Sequence, residues 1–270
     1  MASIILAYRG DPAAVNGARW LLHLYNFRRN EEPILGVEGF RSGQVLLEYI
    51  DREPVYFEDD RSEHFDSIIF LSRHSGKSSE PRLTVHVSGN LSEEAILGGR
   101  PCELGLADPS KVKAALQALA ETARTTGLRS WRVSMEGTHH GPTSLGSPVT
   151  FVEIGSSEDE WVNPKAGRAL AAGAWAAALG NGEGRIGVGF GGDHYCTRLT
   201  KAVLSCKIAI GHVVPKYQFP KIRFESIALT FKRTNGNHPI GVIDWKGLKG
   251  KDRRILLGFL EKLNVEILKV

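Results

Sequence analysis

The sequence predicts an α/β protein with a mixed, mostly parallel β-sheet flanked by helices. Short apolar or β-branched runs alternate with segments of helical length and period along the 270 residues. The run Ile68–Leu71 is apolar without alternation, which is typical of a strand that is covered on both faces. No repeat, low-complexity tract or obvious linker interrupts the pattern. We therefore expect one α/β domain over residues 1–270, with a basic helical lobe at about 215–270.

In the first half of the chain, residue patterns mark where helices begin and end. Asp11 and Pro12 follow the first apolar run and predict a helix start, because Asp caps helices and Pro suits the first helical turn. Asp108-Pro109-Ser110 repeats this signal, and Gly127 ends the second helix. Strands are predicted at 4–8, within 33–49, and at 54–57, 67–72 and 82–87, with helices at 13–25 and 110–125.

The second half continues the alternation. Gly155-Ser156-Ser157 ends a strand, and Gly180-Asn181-Gly182 ends an alanine-rich helix. Strands are predicted at 131–135, 149–154, 185–190, 208–213 and 265–270, with helices at 161–179, 195–205 and 248–263.

The composition is that of an ordinary globular protein, with 42% hydrophobic and 24% charged residues. We expect no membrane span, because the longest apolar region is far shorter than the roughly 20 residues that a spanning helix needs. We also expect no signal peptide, since the N-terminus lacks a basic segment and a long apolar one. The chain has three cysteines, Cys102, Cys196 and Cys206, and none of them has a CxxC spacing. This pattern indicates a protein of the reducing cytoplasm rather than one held together by disulfides. The net charge of +4 permits a polyanionic partner, and no stable protein partner is evident.

The most distinctive segment is Gly137-Thr138-His139-His140-Gly141-Pro142-Thr143, which follows a predicted strand. Histidine titrates near neutral pH and commonly binds metals, and glycine and proline impose a defined backbone path. Further polar loops follow predicted strands at 72–77, 86–90, 191–195 and 211–217. Loops after parallel strands meet at one edge of a sheet, so we expect one shared crevice. The histidines expected in or near it are His74, His139, His140, His194 and His212.

Several alternatives remain open at this point. His86 lies in a Val-His-Val context and is interpreted as a hydrogen-bonded core or edge residue at the margin of the crevice. The segment Gly189-Phe190-Gly191-Gly192-Asp193-His194 does not have GxGxxG or Walker spacing, so it supports neither a dinucleotide site nor a P-loop. The chain has no GxSxG or HExxH pattern, so a hydrolase serine elbow is not supported. An open zinc site is an alternative to purely imidazole chemistry. Its oxygen donors would be Glu136, Asp193 or Glu153.

Several motifs occur together and in a characteristic order. They are Leu71-Ser72-Arg73-His74, Leu83-Thr84-Val85-His86 with Gly89-Asn90, Gly137–Thr143, Phe151–Ser156, Gly191-Gly192-Asp193-His194-Tyr195, Gly211–Tyr217 and Asp244-Trp245-Lys246-Gly247. With them the whole chain resembles the archaeal and plant type of D-aminoacyl-tRNA deacylase. It departs from that family at Asp193, where the family has a third glycine, and at Cys196-Thr197-Arg198, where it has Ala-Pro-Arg.

The resemblance implies a fold similar to nucleoside phosphorylases and peptidyl-tRNA hydrolase. It implies hydrolysis of the ester that joins a D-amino acid to the 3′ end of tRNA, a proofreading reaction in the cytoplasm that extends to aldehyde-modified D-aminoacyl-tRNA. It also implies two zinc ions per subunit. A phosphorylase-like or other small-ester hydrolase and a non-catalytic RNA-binding module are the alternatives.

With this resemblance, the expected site residues fall into three sets. The catalytic set is His139, His140, His194, Thr143 and Glu136, and the candidate zinc ligands are His139, His140, His194 and Asp193. The residues expected to bind substrate and tRNA are Arg73, His74, Thr138, Gly141, Pro142, Tyr195, Arg198, Lys201, His212, Lys216 and Tyr217. In this last set the tyrosines are candidates to stack on or hydrogen-bond to the terminal adenosine, and the basic side chains would hold phosphates.

Overall fold

The structure is a computed structural model that describes residues 1–76, 80–180, 182–205 and 207–270. The predictions that involve Lys77, Asn181 and Cys206 lie outside the described residues. The strands are β1 Ser3–Tyr8, β2 Arg28–Asn30, β3 Glu38–Ser42, β4 Val45–Ile50, β5 Ser67–Ser75, β6 Arg82–His86, β7 Arg132–Met135, β8 Val149–Ser156, β9 Arg185–Phe190, β10 Ile208–Val214, β11 Ile240–Ile243 and β12 Ile267–Lys269. The α-helices are α1 Pro12–Leu24, α2 Pro109–Thr125, α3 Glu158–Trp161, α4 Pro164–Leu179, α5 Thr197–Ser205, α6 Phe224–Lys232 and α7 Gly250–Lys262.

The strands form two sheets. The larger sheet has eight strands in the order β2-β3-β4-β1-β5-β8-β6-β7, and the smaller has four in the order β10-β9-β11-β12. Every described pairing in the smaller sheet is parallel. In the larger sheet the pairs β4–β1, β1–β5, β5–β8 and β6–β7 are parallel. Strand β3 pairs in antiparallel fashion with the edge strand β2 and with β4, and β6 runs antiparallel to β8. The predicted mixed, mostly parallel α/β architecture is confirmed.

Small residues allow the helices to pack closely on the larger sheet. The Asp11 carboxylate accepts hydrogen bonds from the backbone N–H groups of Ala13 and Ala14, as its position before Pro12 predicts. The alanine faces of α1 and α4 share one buried core with α2 and with one face of β1 and β5. A second apolar cluster, which includes Phe70 and Phe151, covers the opposite face of the sheet. The central strands are thus buried on both sides.

Some local predictions were wrong. The strand expected at 54–57 is a 3₁₀ helix, Pro54–Tyr56. The helix expected at 161–179 is divided, because the Asn163 side chain caps a new helix that starts at Pro164. The sequence reading also missed α6 and β11.

The junction between the two sheets is where the polar loops meet. The backbone N–H groups of Gly137 and Thr138 donate to the carbonyl oxygens of His194 and Val213 at 2.9 and 2.8 Å. These bonds join the segment after β7, in the larger sheet, to β10 and to the loop after β9, in the smaller sheet. The expectation of a single parallel sheet edge was therefore wrong, since β9 and β10 belong to a separate sheet and β6 is reversed.

The C-terminal part contains more than helices. Besides α6 and α7, it contributes β11 and β12 to the smaller sheet, and the division into domains stays a prediction. Among the helices that the structure describes, none has the length and apolar character that a bilayer crossing requires.

Candidate active site

Histidine and glutamate side chains from both sheets converge at the junction. His74 and His86 lie at the ends of β5 and β6, Glu153 lies within β8, and the other members come from the loops that follow β7 and β9. The members of this His/Glu cluster are His74, His86, Glu136, His139, His140, Glu153 and His194. The rings of His139 and His194 have their centroids 4.9 Å apart, so the two histidine loops share one site.

Glu136 lies at the centre of the cluster. Its Oε2 lies 2.9 Å from His194 Nε2 and 3.6 Å from His139 Nε2, and its Oε1 lies 3.1 Å from His74 Nδ1. These approaches have ion-pair distances, but within the described residues neither oxygen has a hydrogen bond of good geometry. Glu136 is 1% exposed, so its negative charge must be balanced by the groups around it.

Glu153 is the second buried carboxylate. Its Oε2 lies 3.3 Å from His74 Nδ1, and its Oε1 lies 3.6 Å from His86 Nε2. The strand register explains this arrangement. Glu153 pairs with Ser72 on β5 and with Thr84 on β6, and the histidines lie two residues further along these strands, on the same face. His74 and His86 thus flank Glu153 diagonally.

Backbone hydrogen bonds orient three of the imidazoles. The Nδ1 atoms of His139 and His140 lie 2.8 and 2.5 Å from the carbonyl oxygens of Gly137 and Gly141, and His86 Nδ1 lies 3.3 Å from its neighbour's carbonyl. A carbonyl only accepts, so in each neutral ring Nδ1 carries the proton and Nε2 keeps its lone pair. Imidazoles that bind metals are typically oriented in this way.

The carboxylates favour protonation of the histidines next to them. Burial opposes protonation of His74, but the hydrogen bond to Glu153 and the charge of Glu136 outweigh it and raise its pKa to about 9. For the same reason the pKa of His86 is raised. Burial would raise the pKa of both glutamates, but the adjacent imidazoles lower it, so both stay ionised.

His139 and His140 behave in the opposite way. Burial, followed by the neighbouring imidazole charges, lowers the pKa of His139 well below its usual value and that of His140 to about 4. Both rings are therefore neutral at pH 7. Two buried negative charges in the cluster thus require either protons on His74 and His86 or a bound cation.

The donor atoms fit a metal ion. Three sets have their potential ligand atoms within 4.8 Å of one another: His86, His139 and His140; His74, Glu136 and His194; and His86, Glu136 and Glu153. The first offers three imidazoles and the second offers two imidazoles and a carboxylate, and catalytic zinc uses both kinds of set. Both Glu136 oxygens and His86 Nε2 also fit a cation, because they have no hydrogen-bond partner among the described residues.

The family model for D-aminoacyl-tRNA deacylase matches residues 61–268 of this chain. The chain belongs to the D-aminoacyl-tRNA deacylase family. It is 33% identical to the D-aminoacyl-tRNA deacylase of Thermococcus onnurineus, over 98% of this chain and 99% of that one. It is 38% identical to that of Methanosarcina acetivorans, over 98% and 91%. The crystal structure of a conserved protein of unknown function superposes with a TM-score of 0.87 at 28% identity, over 99% of this chain and 95% of that one.

The resemblance read from the sequence is thereby confirmed, and with it the prediction of a deacylase. The expected residues His139, His140, His194 and Glu136 are brought together in the cluster. Asp193 is not, because its carboxylate points to the surface and pairs with Lys216 at 2.5 Å. The candidate zinc ligands of this deacylase therefore do not include Asp193. The structure offers His74, His86, Glu136 and Glu153 beside the expected histidines.

Two expected hydroxyl groups also lie apart from the cluster. The Thr143 hydroxyl donates to Glu103 at 2.7 Å and accepts the backbone N–H of Arg100 at 3.0 Å. The Thr138 hydroxyl lies 3.2 Å from His212 Nδ1 and accepts the N–H of Val213 at 3.0 Å. Both hydroxyls and His212 thus hold the loops in place.

The two tyrosines do touch the cluster. Tyr195 Oη lies 2.8 Å from His74 Nε2, and the Arg82 guanidinium lies 3.8 Å above the Tyr195 ring. Tyr217 Oη lies 3.4 Å from His194 Nδ1. The two tyrosine hydroxyls therefore help to orient His74 and His194.

The other residues expected to bind substrate and tRNA have partners outside the cluster or are exposed. The Arg73 guanidinium pairs with Glu53 at 3.2 Å, and Arg198 Nε lies 3.5 Å from Asp244. Lys201 is exposed on α5. The backbone of the histidine loop is fixed, because Gly141 N–H donates to Leu97 O at 2.9 Å and the Pro142 carbonyl accepts the Ser88 hydroxyl at 2.6 Å.

From the sequence, His86 is interpreted as a hydrogen-bonded core or edge residue at the margin of the crevice. The structure shows it buried, next to Glu153. A Val-His-Val pattern is equally typical of a structural core histidine, so it carries no functional signal alone. A signal was present in the spacing of polar residues within apolar strands. Ser72 and His74, and likewise Thr84 and His86, are two residues apart and so lie on the same face of their strand. Only the register of β8 shows that Glu153 lies between them.

Proposed function

We propose that the His/Glu cluster is the active site at which this deacylase hydrolyses the ester between a D-amino acid and the 3′ end of tRNA. The observation that carries the proposal is the position of Glu136, a buried carboxylate next to imidazoles that reach solvent. The side chains of His139 and His194 are 25% and 33% exposed. Ester hydrolysis needs a base for water and stabilisation of the developing oxyanion, and a half-open site of this kind can supply both.

His194 is the proposed base. Glu136 Oε2 lies 2.9 Å from His194 Nε2, and the negative charge of the carboxylate would favour the tautomer with the proton on Nε2 and the lone pair on Nδ1. His194 Nδ1 faces the Tyr217 hydroxyl at the open side of the cluster. It would take a proton from the attacking water and return it to the departing ribose oxygen. Glu136 would fix the tautomer, as the carboxylate does in a Ser-His-Asp triad.

His86, His139 and His140 form the proposed zinc site. Their backbone hydrogen bonds leave three Nε2 lone pairs available, and the lowered pKa values of His139 and His140 keep those two rings ready to bind a cation at pH 7. When bound, zinc supplies Lewis-acid stabilisation of negative charge on oxygen. A second cation at His74, Glu136 and His194 would compete with the role of His194 as a base. The number of zinc ions per chain therefore distinguishes the two assignments.

The tRNA is proposed to approach over the loop after β9. Arg198 and Lys201 lie on α5, which follows that loop, and Lys246 lies in the exposed turn beside it. The Asp244 carboxylate accepts the Gly247 N–H at 2.8 Å and pairs with Arg198, which ties this turn to α5. Basic side chains at such a site contact phosphates. We expect the enzyme to act in the cytoplasm, where its aminoacyl-tRNA substrate is made.

Deacylation of one tRNA charged with D-tyrosine or L-tyrosine tests the proposal. We expect the wild-type protein to hydrolyse only the D ester, and His194→Gln and Glu136→Gln to lower the rate by about a hundredfold or more. His23→Gln, on the exposed side of α1, is the matched control and should keep the wild-type rate. Equal hydrolysis of both enantiomers would contradict proofreading, and a wild-type rate in His194→Gln would contradict the site.

Elemental analysis of the same proteins tests the metal assignment. His140→Gln should lose zinc, whereas His194→Gln should retain it and still be inactive. Loss of zinc in His194→Gln would instead make His194 a ligand and remove it as the base.

A further inference from the structure

A cavity of about 200 Å³ opens beside His139 and His140. Its other walls come from the segment 89–97 and from Tyr217 and Gln218. Pockets for drug-sized ligands measure about 300–1,000 Å³. This cavity is smaller, so it fits a fragment the size of one side chain rather than a complete aminoacyl-adenosine.

Ile96 and Leu97 form an apolar tip at the mouth of this cavity. They are 82% and 52% exposed, although both are large aliphatic residues. The tip is held in place, because Leu97 O accepts the Gly141 N–H at 2.9 Å and the Asn90 side chain donates to Gly98 O at 3.0 Å. Apolar surface that is fixed and exposed next to a reaction centre is suited to contact a ligand.

The position of the basic residues gives the bound ester a direction. Glu94 lines the cavity, but its carboxylate pairs with Lys221 Nζ at 2.6 Å, so this pair adds no net charge there. The residues proposed to hold the tRNA, Arg198, Lys201 and Lys246, do not line the cavity. With the tRNA on the side of the loop after β9, the acyl group would extend past His139 and His140 toward Ile96.

We infer that this cavity receives the amino-acid side chain of the substrate, and that Ile96 and Leu97 make the enzyme favour bulky apolar D-amino acids. This inference rests on the function proposed above. It assigns a specificity role to the segment 91–97, which lies outside the His/Glu cluster. The backbone of this segment is hydrogen-bonded at both ends, by Cys102 N–H to Ser92 O and by Gly141 N–H to Leu97 O, both at 2.9 Å, so we expect substitutions of its exposed side chains to leave the rest of the fold in place.

The test uses one tRNA acylated in turn with D-phenylalanine and D-alanine, with kcat/KM measured for both. In the double variant Ile96→Ala/Leu97→Ala, the ratio of D-phenylalanine to D-alanine should fall about tenfold, because a few lost methyl groups in an apolar pocket discriminate by that order. Val162→Ala is the matched control, since Val162 is 60% exposed and does not line this cavity. It should leave the ratio unchanged.

A charge introduced at the apolar tip provides a second test of the side-chain specificity. Ile96→Arg should slow the hydrolysis of D-phenylalanyl-tRNA and raise that of D-glutamyl-tRNA relative to it. A wild-type ratio in both the alanine and the arginine variants would overturn the inference while the deacylase function stands. Absence of hydrolysis of any D ester by the wild-type protein would overturn the function and the inference together.

Discussion

His212 makes a quantitative prediction about stability. It is fully buried in β10, where its Nε2 lies 3.1 Å from Gly105 O and its Nδ1 lies 3.2 Å from the Thr138 hydroxyl. The carbonyl only accepts, so Nε2 carries the proton and the neutral ring satisfies both partners. Burial lowers the pKa of His212 to about 4. The ring therefore supports the backbone below the histidine loop only while it is uncharged.

The effect on stability follows from linkage. An unfolded histidine titrates near 6.5, so the unfolded state binds a proton at a pH where the folded state does not. This contribution to folding is complete above pH 6.5, falls as the pH drops, and levels off below the folded pKa of about 4. Over the whole range it amounts to about 3 kcal/mol, of which about 2 kcal/mol is lost by pH 5.

Urea denaturation at pH 7.5 and pH 5.0 measures this difference in the free energy of unfolding. His212→Gln keeps an amide donor for Gly105 but does not titrate, so the wild-type protein should lose about 2 kcal/mol more than the variant between these two pH values. His23→Gln, which removes an exposed histidine, should match the pH dependence of the wild-type protein. Parallel profiles for wild type and His212→Gln would refute the assignment of His212 as a buried neutral support.

Three further predictions concern the loop residues Thr143 and Gly141 and the basic residue Lys201. Thr143→Val should cost about 1–3 kcal/mol of stability by leaving the Glu103 contact unmade, yet keep kcat; a hundredfold loss of kcat at full stability would return Thr143 to the chemistry. Gly141→Ala should lower Tm and activity together, because a Cβ there would lie 2.4 Å from the backbone nitrogen of Gly99; wild-type values would show that the loop has more room. Lys201→Gln should reduce the slope of log Kd for uncharged tRNA against log salt by about 1, and an unchanged slope would place the phosphates elsewhere.

Helix starts and apolar strands could be predicted from the sequence because their signals are local. The Asp-Pro pairs at 11–12 and 108–109 marked the starts of α1 and α2 to within a residue. Helix α6 was missed because Arg223, at its N-cap, makes no capping side-chain hydrogen bond and gives no start signal. The reversal of β6 was missed because apolar alternation does not encode strand direction.

The site was predictable only as far as local sequence marks it. Glycines within two residues of His139, His140 and His194 indicated loops after strands, and the structure brings these loops together. The direction of the Asp193 side chain depends on the fold of its loop and on Lys216, which is 23 residues away. The roles of His86 and Glu153 depend on pairing between β6 and β8, which no single segment contains.

The position of the cluster between two sheets links its chemistry to tertiary packing. Glu136 directly follows β7 of the larger sheet, and His194 lies in the loop after β9 of the smaller one. Backbone hydrogen bonds join the two segments, because Gly137 N–H donates to His194 O and Cys196 N–H donates to Met135 O at 3.1 Å. Each buried carboxylate would be costly without the imidazoles that the docked sheets supply. A substitution that loosens this junction will therefore impair the cluster while the strands and helices remain formed, so that activity is lost at lower denaturant concentrations than secondary structure.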